Sequence, residues 1–161
     1  MSEGRTSWEP RPGLRHGSRL AMTAAEVDDF LAGQRTCRVA TVGPDGRPHV
    51  SPLWFAWDGS SIWLCSLVRS RRFSDLVAEP RVALVVDAGE EYGELRGVEI
   101  RGSAQVVGPV PWDGVVTPEL AEAERLFAEK YPEQRHVRRK GRHAWVRVEP
   151  DSMSTWDFRK G

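Results

Sequence analysis

The 161-residue sequence predicts one mainly β domain of the α+β class, in which six antiparallel strands and short flanking helices form a small barrel. Three observations support this prediction. Apolar and polar residues alternate with a period of two along several runs between residues 36 and 107, and again near the C-terminus. Turn sequences separate these runs, and the helical patterns between them are short. A closed or split barrel would leave no sheet edge exposed.

The N-terminal residues differ in composition from the rest of the chain. Residues 1–20 are rich in proline, glycine, arginine and serine and show no periodicity. We therefore expect residues 1–20 to form a flexible arm and residues 21–161 to form the folded domain. The domain begins with a helix in which Thr23 and Glu26 match a capping box and Gly33 marks the end.

Residues 36–67 contain three strand-like runs separated by the turn sequences Gly-Pro-Asp-Gly and Trp-Asp-Gly-Ser, which predict an antiparallel meander. A short helix follows the meander. Ser70 is placed to cap this helix, and Pro80 ends it because proline disfavours helical backbone in the residue before it. The next run, residues 81–89, is apolar nearly throughout, so we expect a strand that is buried on both faces.

Two further strands and a helix complete the predicted fold. Alternation marks the fifth strand, in which Gly97 and Gly102 indicate a bulge or the close approach of another segment. A helix is predicted over residues 117–131, with Thr117 as its cap and a proline in its first turn. Its apolar residues share one face, which we expect to be core: Leu120, Ala123, Phe127 and Tyr131. The sixth strand is predicted over residues 143–158.

The composition argues against several classes of protein. Lys and Arg together number 23, as do Asp and Glu, so the net charge is zero and favours neither nucleic acid nor a membrane as a partner. The apolar runs are too short to span a bilayer, and no secretory signal core is present. Cys37 and Cys65 lie in strand-like runs, which favours buried thiols in a reducing cytoplasm. The four histidines show no metal-ligand spacing, so we expect no metal site.

Three arginines, Arg69, Arg71 and Arg72, crowd the start of the helix that Ser70 would cap. A helix N-terminus carries partial positive charge, which disfavours each cation there by about 0.3–1 kcal/mol. One explanation is a solvated helix end whose arginines pair with carboxylates such as Asp75. The other is a phosphate site, formed by the serine hydroxyl, the first helical amides and two of the guanidinium groups. The residues alone leave both explanations open.

Several blocks of sequence together resemble the pyridoxamine 5'-phosphate oxidase-like split-barrel superfamily, over roughly residues 23–160. The blocks are TCRVATVGPDGRPHVSPLW, EPRVALVVD, YGELRGVEIRGSAQVV and the terminal WDFRK. The resemblance is closest to the actinobacterial branch that binds the deazaflavin coenzyme F420. It implies a six-stranded antiparallel split barrel that forms a homodimer, with two cofactor sites at the subunit interface.

The same resemblance implies a set of cofactor-binding residues. In flavin-binding relatives a Ser-Arg-Lys triplet at the helix start holds the cofactor phosphate. Here the triplet is Ser70-Arg71-Arg72, in which arginine replaces lysine but keeps the charge and adds a planar fork of donors. The other implied contacts are His49, Val50, Ser51, Pro52, Leu53, Trp54, Cys65, Ser66 and Trp156.

Pro52 also carries a prediction of its own, because proline has no backbone N–H and leaves a gap in a strand's hydrogen-bond ladder. The gap could free neighbouring N–H groups to bind the oxygens and nitrogens of a flavin-like ring. Alternatively, Pro52 marks an ordinary edge strand. The sequence supports both equally.

The basic segment at residues 135–143 holds five Lys or Arg residues in nine positions. A solvated loop between helix and strand is one interpretation. Nucleic-acid binding is a second, disfavoured by the zero net charge and the lack of a known binding module. The resemblance adds a third, in which these cations bind the polyglutamate tail of the deazaflavin.

The resemblance implies a function: an F420H2-dependent oxidoreductase that transfers a hydride between the deazaflavin and a small organic electrophile, such as an enone or an imine. The catalytic residues are unknown, since no side chain stands out as a proton donor. Two alternatives remain, which are an FMN-dependent oxidoreductase of the same fold and a non-catalytic protein that carries the cofactor.

Overall fold

Six antiparallel strands form a closed barrel in the computed structural model, which describes residues 17–134 and 139–161. The order around the barrel is β1-β2-β3-β6-β5-β4. The strands are β1 (Thr36–Val42), β2 (Pro48–Trp57), β3 (Ile62–Leu67), β4 (Arg81–Ala88), β5 (Arg96–Val107) and β6 (His143–Asp157). The predicted six-stranded, mainly β architecture is confirmed, whereas the homodimer stays a prediction.

Short helices flank the barrel in the described part of the chain. They are α1 (Gly17–Leu20), α2 (Ala24–Gly33), α3 (Arg71–Ala78) and α4 (Ala121–Lys130), with 3-10 turns at Tyr92–Glu94, Pro132–Gln134 and Phe158–Lys160. None of the described helices combines the length and the apolar character that crossing a bilayer requires. Residues 1–16 of the predicted arm lie outside the described residues, so its flexibility stays a prediction.

The local signals at the helix ends are confirmed. At the start of α2, the Thr23 hydroxyl accepts from the Glu26 N–H at 3.2 Å, and the Glu26 carboxylate accepts from the Thr23 N–H at 2.7 Å. Gly33 is the last residue of that helix. At α3, the Ser70 hydroxyl accepts from the Phe73 N–H at 3.2 Å, and the helix ends two residues before Pro80. These interactions satisfy helical N–H groups that would otherwise lack partners.

The apolar core has two parts. Strand residues such as Val39, Phe55 and Val146, all fully buried, fill the barrel interior. A second cluster lies between the barrel wall and α4, where Trp145 meets Phe127 edge-to-face at a centroid distance of 4.9 Å. Burial of each such side chain contributes about 1.5–3 kcal/mol. The second cluster fixes α4 against β2, β3 and β6, which positions the site described below.

Two predictions about individual elements are wrong. Strand β4 is buried on one face only: Val82, Leu84 and Val86 point inward, whereas the residues between them are partly exposed. A barrel strand has one inward and one outward face, and alternation follows from that geometry. Helix α4 begins at Ala121 and Thr117 does not cap it, because residues 117–120 form a turn that buries Leu120 completely before the helix starts.

The two glycines of β5 confirm the predicted bulge and close approach. The register of β5 on β6 shifts at Gly102, where a side chain would collide with the backbone of Glu149. At Gly97, a Cβ atom would lie 2.8 Å from Cε2 of Trp156, so that indole ring packs directly on the glycine backbone. Only glycine provides this space.

Candidate functional site

A cavity of about 620 Å³ lies where β2, β3 and α4 meet the start of β6. Four residues implied as cofactor contacts line it, namely Pro52, Leu53, Trp54 and Cys65. Phe127, Ala128 and Tyr131 from the α4 side, together with Arg139 and His143, are also part of the lining. This volume and the mostly apolar lining are typical of small-molecule sites.

An aromatic pair forms one wall of the cavity. The rings of Trp54 and Tyr131 are stacked, with centroids 4.4 Å apart and planes 5° from parallel. The Tyr131 hydroxyl lies 2.7 Å from the carbonyl oxygens of both Arg35 and Phe55 and accepts from the Phe55 N–H at 3.1 Å. Because that hydroxyl is held by backbone groups, Trp54 stacks on a fixed ring and presents a rigid apolar face.

Polar groups lie at another part of the same lining. Arg139 donates to Glu124 at 3.1 Å, and its guanidinium carbon is 5.4 Å from the centroid of the Trp145 ring. Burial raises the pKa of Cys65 to about 11, although the charge of Arg139 opposes this shift. Burial lowers the pKa of His143, so its ring is neutral at pH 7. The cavity therefore combines one cation with a neutral thiol and a neutral imidazole.

Strands β2 and β3 part beside this cavity. They pair only along Phe55–Trp57 and Ile62–Leu64, while the rest of β2 pairs with β1 and the rest of β3 with β6. Pro52 lies in the part of β2 that has no β3 partner. Its position therefore agrees with both explanations of this proline.

The side chain of Arg72 bridges the opening between the two strands. Its Nη1 donates to the Ser51 hydroxyl of β2 at 2.5 Å, and its Nε donates to the Ser66 hydroxyl of β3 at 3.3 Å. Arg72 is only 7% exposed and forms no ion pair with the described residues. Burial lowers its pKa, since a buried guanidinium without a counterion is costly. A charged group of this kind favours an anion next to it.

The other two members of the predicted phosphate triplet are placed differently. The Ser70 hydroxyl caps α3 and also donates to the Leu67 carbonyl at 2.8 Å. Arg71 points away from Arg72: its guanidinium lies 3.8 Å from the buried Asp75 carboxylate and 3.9 Å from Asp45. Arg71 thus follows the carboxylate-pairing explanation, whereas Arg72 follows the anion-site explanation.

Three other implied contacts lie outside this lining. His49 and Val50 are on the part of β2 that pairs with β1, and Val50 is 65% exposed. Trp156 packs on Gly97 near the C-terminal end of β6, whereas His143, at the start of that strand, lines the cavity. Within the described residues, no hydrogen bond joins the side chain of any of these three to Arg72, whose partners are Ser51 and Ser66.

Sequence reasoning missed the residues that α4 and the basic segment contribute. Phe127 and Tyr131 were expected to be core residues of a helix face, and their spacing of four residues is the signal that places both on one cavity wall. Arg139 and His143 belong to the segment interpreted as a solvated loop, yet Arg139 is largely enclosed by aromatic rings. Residues 135–138 lie outside the described residues.

Comparison with known proteins finds a family match that covers most of the chain. The family model described as pyridoxamine 5'-phosphate oxidase matches residues 23–157. A 5a,11a-dehydrotetracycline/5a,11a-dehydrooxytetracycline reductase of Streptomyces rimosus is 34% identical over 94 residues, which cover 55% of this chain and 66% of the reductase. The match thus spans just under two thirds of that relative's length.

Two solved structures have the same fold. A conserved hypothetical protein from Mycobacterium tuberculosis is 29% identical, with a TM-score of 0.67 and 91% of each chain covered. A structure named as an F420 reductase is 24% identical, with a TM-score of 0.59 over 79% of this chain and 94% of the other, a likeness that concerns the fold. Since the family model covers all six strands and nearly all of the described chain, the protein belongs to the pyridoxamine 5'-phosphate oxidase family.

Proposed function

We propose that the protein is an oxidoreductase that binds the deazaflavin coenzyme F420 and transfers a hydride between it and a small organic electrophile. The observation that carries this proposal is Arg72, a buried cation at the opening between β2 and β3 that has no carboxylate partner among the described residues. A cofactor phosphate would supply the missing negative charge. Family membership and the reductase from Streptomyces rimosus support the oxidoreductase class.

The phosphate-binding role falls mainly on Arg72, Ser51 and Ser66. Two hydroxyls already orient the guanidinium, so little side-chain entropy remains to be lost when an anion binds. Hydrogen bonds from charged donors contribute about 1.5–3 kcal/mol each. Arg71, which is paired with two carboxylates, has a smaller part in this proposal.

The cavity beside Arg72 would hold the ring system and the substrate. A bound deazaflavin supplies the hydride-carrying carbon, and the protein supplies orientation and exclusion of water. Leu53, Trp54 and Phe127 provide the apolar surface against which a planar ring is held. Cys65, whose pKa burial raises to about 11, stays a neutral thiol and adds no charge to that surface.

His143 bears on how protons move in this cavity. Its Nδ1 lies 3.3 Å from the Arg139 carbonyl, which can only accept, so Nδ1 carries the proton and Nε2 keeps its lone pair. Because burial lowers the pKa of His143, the imidazole stores no extra proton near pH 7. We therefore expect solvent to supply the proton that accompanies hydride transfer.

The choice of deazaflavin over FMN rests on Arg72 in place of the usual lysine, on the sequence block LRGVEIRG at residues 95–102 and on the basic segment at residues 135–143. An FMN-dependent oxidoreductase would use the same phosphate site. A non-catalytic carrier would use the same binding residues.

Separate titrations of F420 and FMN into the apo protein test the proposal. Quenching of tryptophan fluorescence reports binding, and oxidation of reduced deazaflavin with a panel of enones, including a dehydrotetracycline, reports turnover. We expect F420 to bind more tightly than FMN, and we expect the reduced form, F420H2, to be oxidised only when an acceptor is present. Tighter binding of FMN would contradict the deazaflavin assignment, and binding without turnover across the panel would favour the carrier.

A further inference from the structure

Arg139 is the one charged residue in the described lining of the 620 Å³ cavity. Its side chain is 25% exposed, whereas its carboxylate partner Glu124 is not part of the lining. The ion pair therefore presents its positive end to the cavity. Burial raises the pKa of Cys65 and lowers that of His143, so both of these neighbours are uncharged at pH 7. One cation thus faces an otherwise mostly apolar space.

This ion pair uses only part of its hydrogen-bonding capacity. Arg139 donates once to Glu124, from Nη2 at 3.1 Å, although a guanidinium has five N–H donors. Nη1 of Arg139 and Oε1 of Glu124 are buried and have no hydrogen-bond partner among the described residues. Arg81, Arg125 and Arg159, in contrast, each bind a carboxylate through two nitrogens. A pair that served the fold alone would close in the same way, because unpaired buried polar atoms are costly.

The guanidinium of Arg139 is also confined in position. Its carbon lies between 5.4 and 6.0 Å from the centroids of three aromatic rings, those of Trp112, Phe127 and Trp145. The Gly141 N–H donates to the Trp112 carbonyl at 2.8 Å, which holds the segment that carries Arg139 against these rings. A preorganised cation in a site that excludes water stabilises a nearby negative charge far more than a cation in solvent.

We propose that Arg139 is a catalytic residue that binds the carbonyl oxygen of the electrophile, and that Glu124 is the positioning residue that orients its guanidinium. This inference rests on the proposed function and specifies the substrate class as conjugated ketones and aldehydes. Hydride adds to the β-carbon of the enone, the C=C electron pair forms a new double bond to the carbonyl carbon, and the carbonyl π pair moves onto oxygen. The enolate oxygen accepts from Arg139, solvent protonates the α-carbon, and the hydride donor is oxidised by two electrons.

The same cation disfavours imines as substrates. An imine is activated toward hydride by protonation of its nitrogen, which would place a second positive charge beside Arg139, and like charges repel. An enone instead gains negative charge during the reaction. Arg139 therefore interacts more strongly with the transition state than with the bound substrate, and such differential binding raises kcat.

A binding experiment without cofactor tests the anion site. The probe is p-nitrophenol, whose phenolate resembles an enolate in charge and absorbs visible light, and p-nitroanisole is its analogue that cannot ionise. The full-length variants are R139M, R139K and E124Q. R125M is the matched control, because Arg125 also pairs with glutamates of α4 but is not part of the cavity lining. Spectral titration across pH gives the affinity of each protonation state, and thermal unfolding shows whether each variant is folded.

We expect wild type to bind the phenolate at least about tenfold more tightly than the neutral phenol, since a nearby cation favours the ionised form. R139M should lose this preference, and R139K should keep part of it. E124Q should bind the phenolate at least about twofold more tightly than wild type, because it removes the negative charge behind the guanidinium but keeps an acceptor for it. R125M should match wild type, and p-nitroanisole should bind all variants alike.

Turnover of an enone with reduced deazaflavin supplies a second readout. R139M should lower kcat about a hundredfold or more and change KM by less than about threefold, since the lost interaction forms mainly in the transition state. R139K should recover part of kcat. A purely structural pair would lower the stability of R139M and E124Q alike and would leave the phenolate preference unchanged.

The inference is overturned if wild type shows no preference for the phenolate or does not bind it, or if folded R139M keeps the preference. Should R139M fail to fold, weaker phenolate binding by E124Q than by wild type overturns the inference. Displacement of the phenolate by tetraglutamate would assign Arg139 to a polycarboxylate and would also overturn it. If the phenolate results hold but wild type binds no deazaflavin, the proposed function fails and the anion site stands. Deazaflavin turnover without a phenolate preference gives the reverse conclusion.

Discussion

At the scale of single residues, three neighbouring arginines have three different environments. Arg69 is exposed in a cavity, Arg71 lies between two carboxylates, and Arg72 is buried between hydroxyls. The two explanations that the sequence left open therefore apply to different residues. Helical geometry accounts for the divergence of Arg71 and Arg72, because successive side chains point about 100° apart around α3, whereas Arg69 precedes the helix.

The first prediction separates Arg72 from Arg71. In R72M, an apolar side chain of similar length replaces a buried, uncompensated cation, so the free energy of unfolding of the apo protein should change by no more than about 1–2 kcal/mol. Cofactor affinity should fall at least about tenfold, which corresponds to about 1.4 kcal/mol. Urea unfolding and ligand titration measure the two quantities.

R71M is the matched control for that experiment. It removes the exposed partner of the buried Asp75 carboxylate, which keeps its hydrogen bond from the Thr41 hydroxyl. The affinity should therefore change by less than about 1 kcal/mol, while the stability should fall by about 1–3 kcal/mol. A larger loss of affinity in R71M than in R72M would contradict the assignment of the phosphate to Arg72.

The second prediction concerns Lys130, whose Nζ donates to the Leu31 carbonyl at 2.9 Å and lies 3.9 Å from the Phe55 ring centroid. Burial lowers its pKa from 10.5 to about 8, and the nearby Arg35 adds to this effect. Below about pH 8 the folded state holds a charge it disfavours. Between about pH 8 and 10.5, the lysine has lost its proton in the folded state but still holds it in the unfolded state. Its contribution to the free energy of unfolding therefore increases with pH in this range.

The measurement is the difference in free energy of unfolding between wild type and K130M across that pH range. The difference should grow in favour of wild type by up to about 1.4 kcal/mol per pH unit. Cys37 titrates in the opposite sense, with its pKa raised by burial to about 12, but it is present in both proteins and cancels. K140M, which removes an exposed lysine, is the control for the loss of one lysine charge.

At the scale of elements, the site depends on where α4 packs. Its Phe127 and Tyr131 lie against the outside of β2, and they close the cavity that Trp54 faces. The sequence predicted the helix and its apolar stripe but not the strand that the stripe covers. Periodicity defines which face is buried and carries no information about the partner surface.

The third prediction tests the close packing of β5 on β6. In G97A, the added methyl group would lie 2.8 Å from Cε2 of Trp156 and 2.9 Å from the Val86 carbonyl oxygen. Because the carbonyl belongs to the barrel backbone and cannot move aside, we expect a loss of about 1–3 kcal/mol in stability. Urea unfolding measures this loss, and tryptophan fluorescence reports displacement of the indole.

G93A provides the matched control, since a Cβ atom there meets no neighbour within 4 Å. Its stability should stay within about 0.5 kcal/mol of wild type. Equal stability of G97A and G93A would show that β5 and β6 tolerate a wider spacing than the structure has.

At the scale of the whole molecule, β2 and β3 separate beyond the short segment along which they pair. The exposed end of β2 lies beside this opening in the barrel wall. The homodimer implied by the resemblance would cover this end and would bring the partner's C-terminal region toward the site. Such an arrangement would explain why Trp156 does not line the cavity of its own chain. The dimer stays a prediction.

The fourth prediction follows from that arrangement. Val50 is 65% exposed on β2, so V50D should place a charge in the interface, yield monomers in light-scattering measurements and weaken cofactor binding. V77D, at a 61% exposed residue on the outer side of α3, is the control and should leave the dimer intact. A monomeric wild-type protein would contradict the predicted dimer, and a dimeric V50D would show that the interface lies elsewhere.

Local signals in the sequence determined the strands, the turns and the caps, because each depends on residues a few positions apart. The Thr23–Glu26 capping box and the Ser70 cap are examples, and the structure confirms both. The predicted start of α4 was wrong because burial of Leu120, which depends on contacts distant in sequence, outweighed the local capping signal at Thr117.

Only the tertiary structure decided which of these groups form a site. The Tyr131 hydroxyl meets the backbone of Phe55, and Nη1 of Arg72 meets Ser51, across 76 and 21 positions of sequence. Such contacts depend on how the barrel closes and where α4 packs, which no periodicity encodes. From sequence, an anion site was one of two explanations for the three arginines. The burial that distinguishes Arg72 from Arg71 arises only when β2 and β3 separate around the Arg72 side chain.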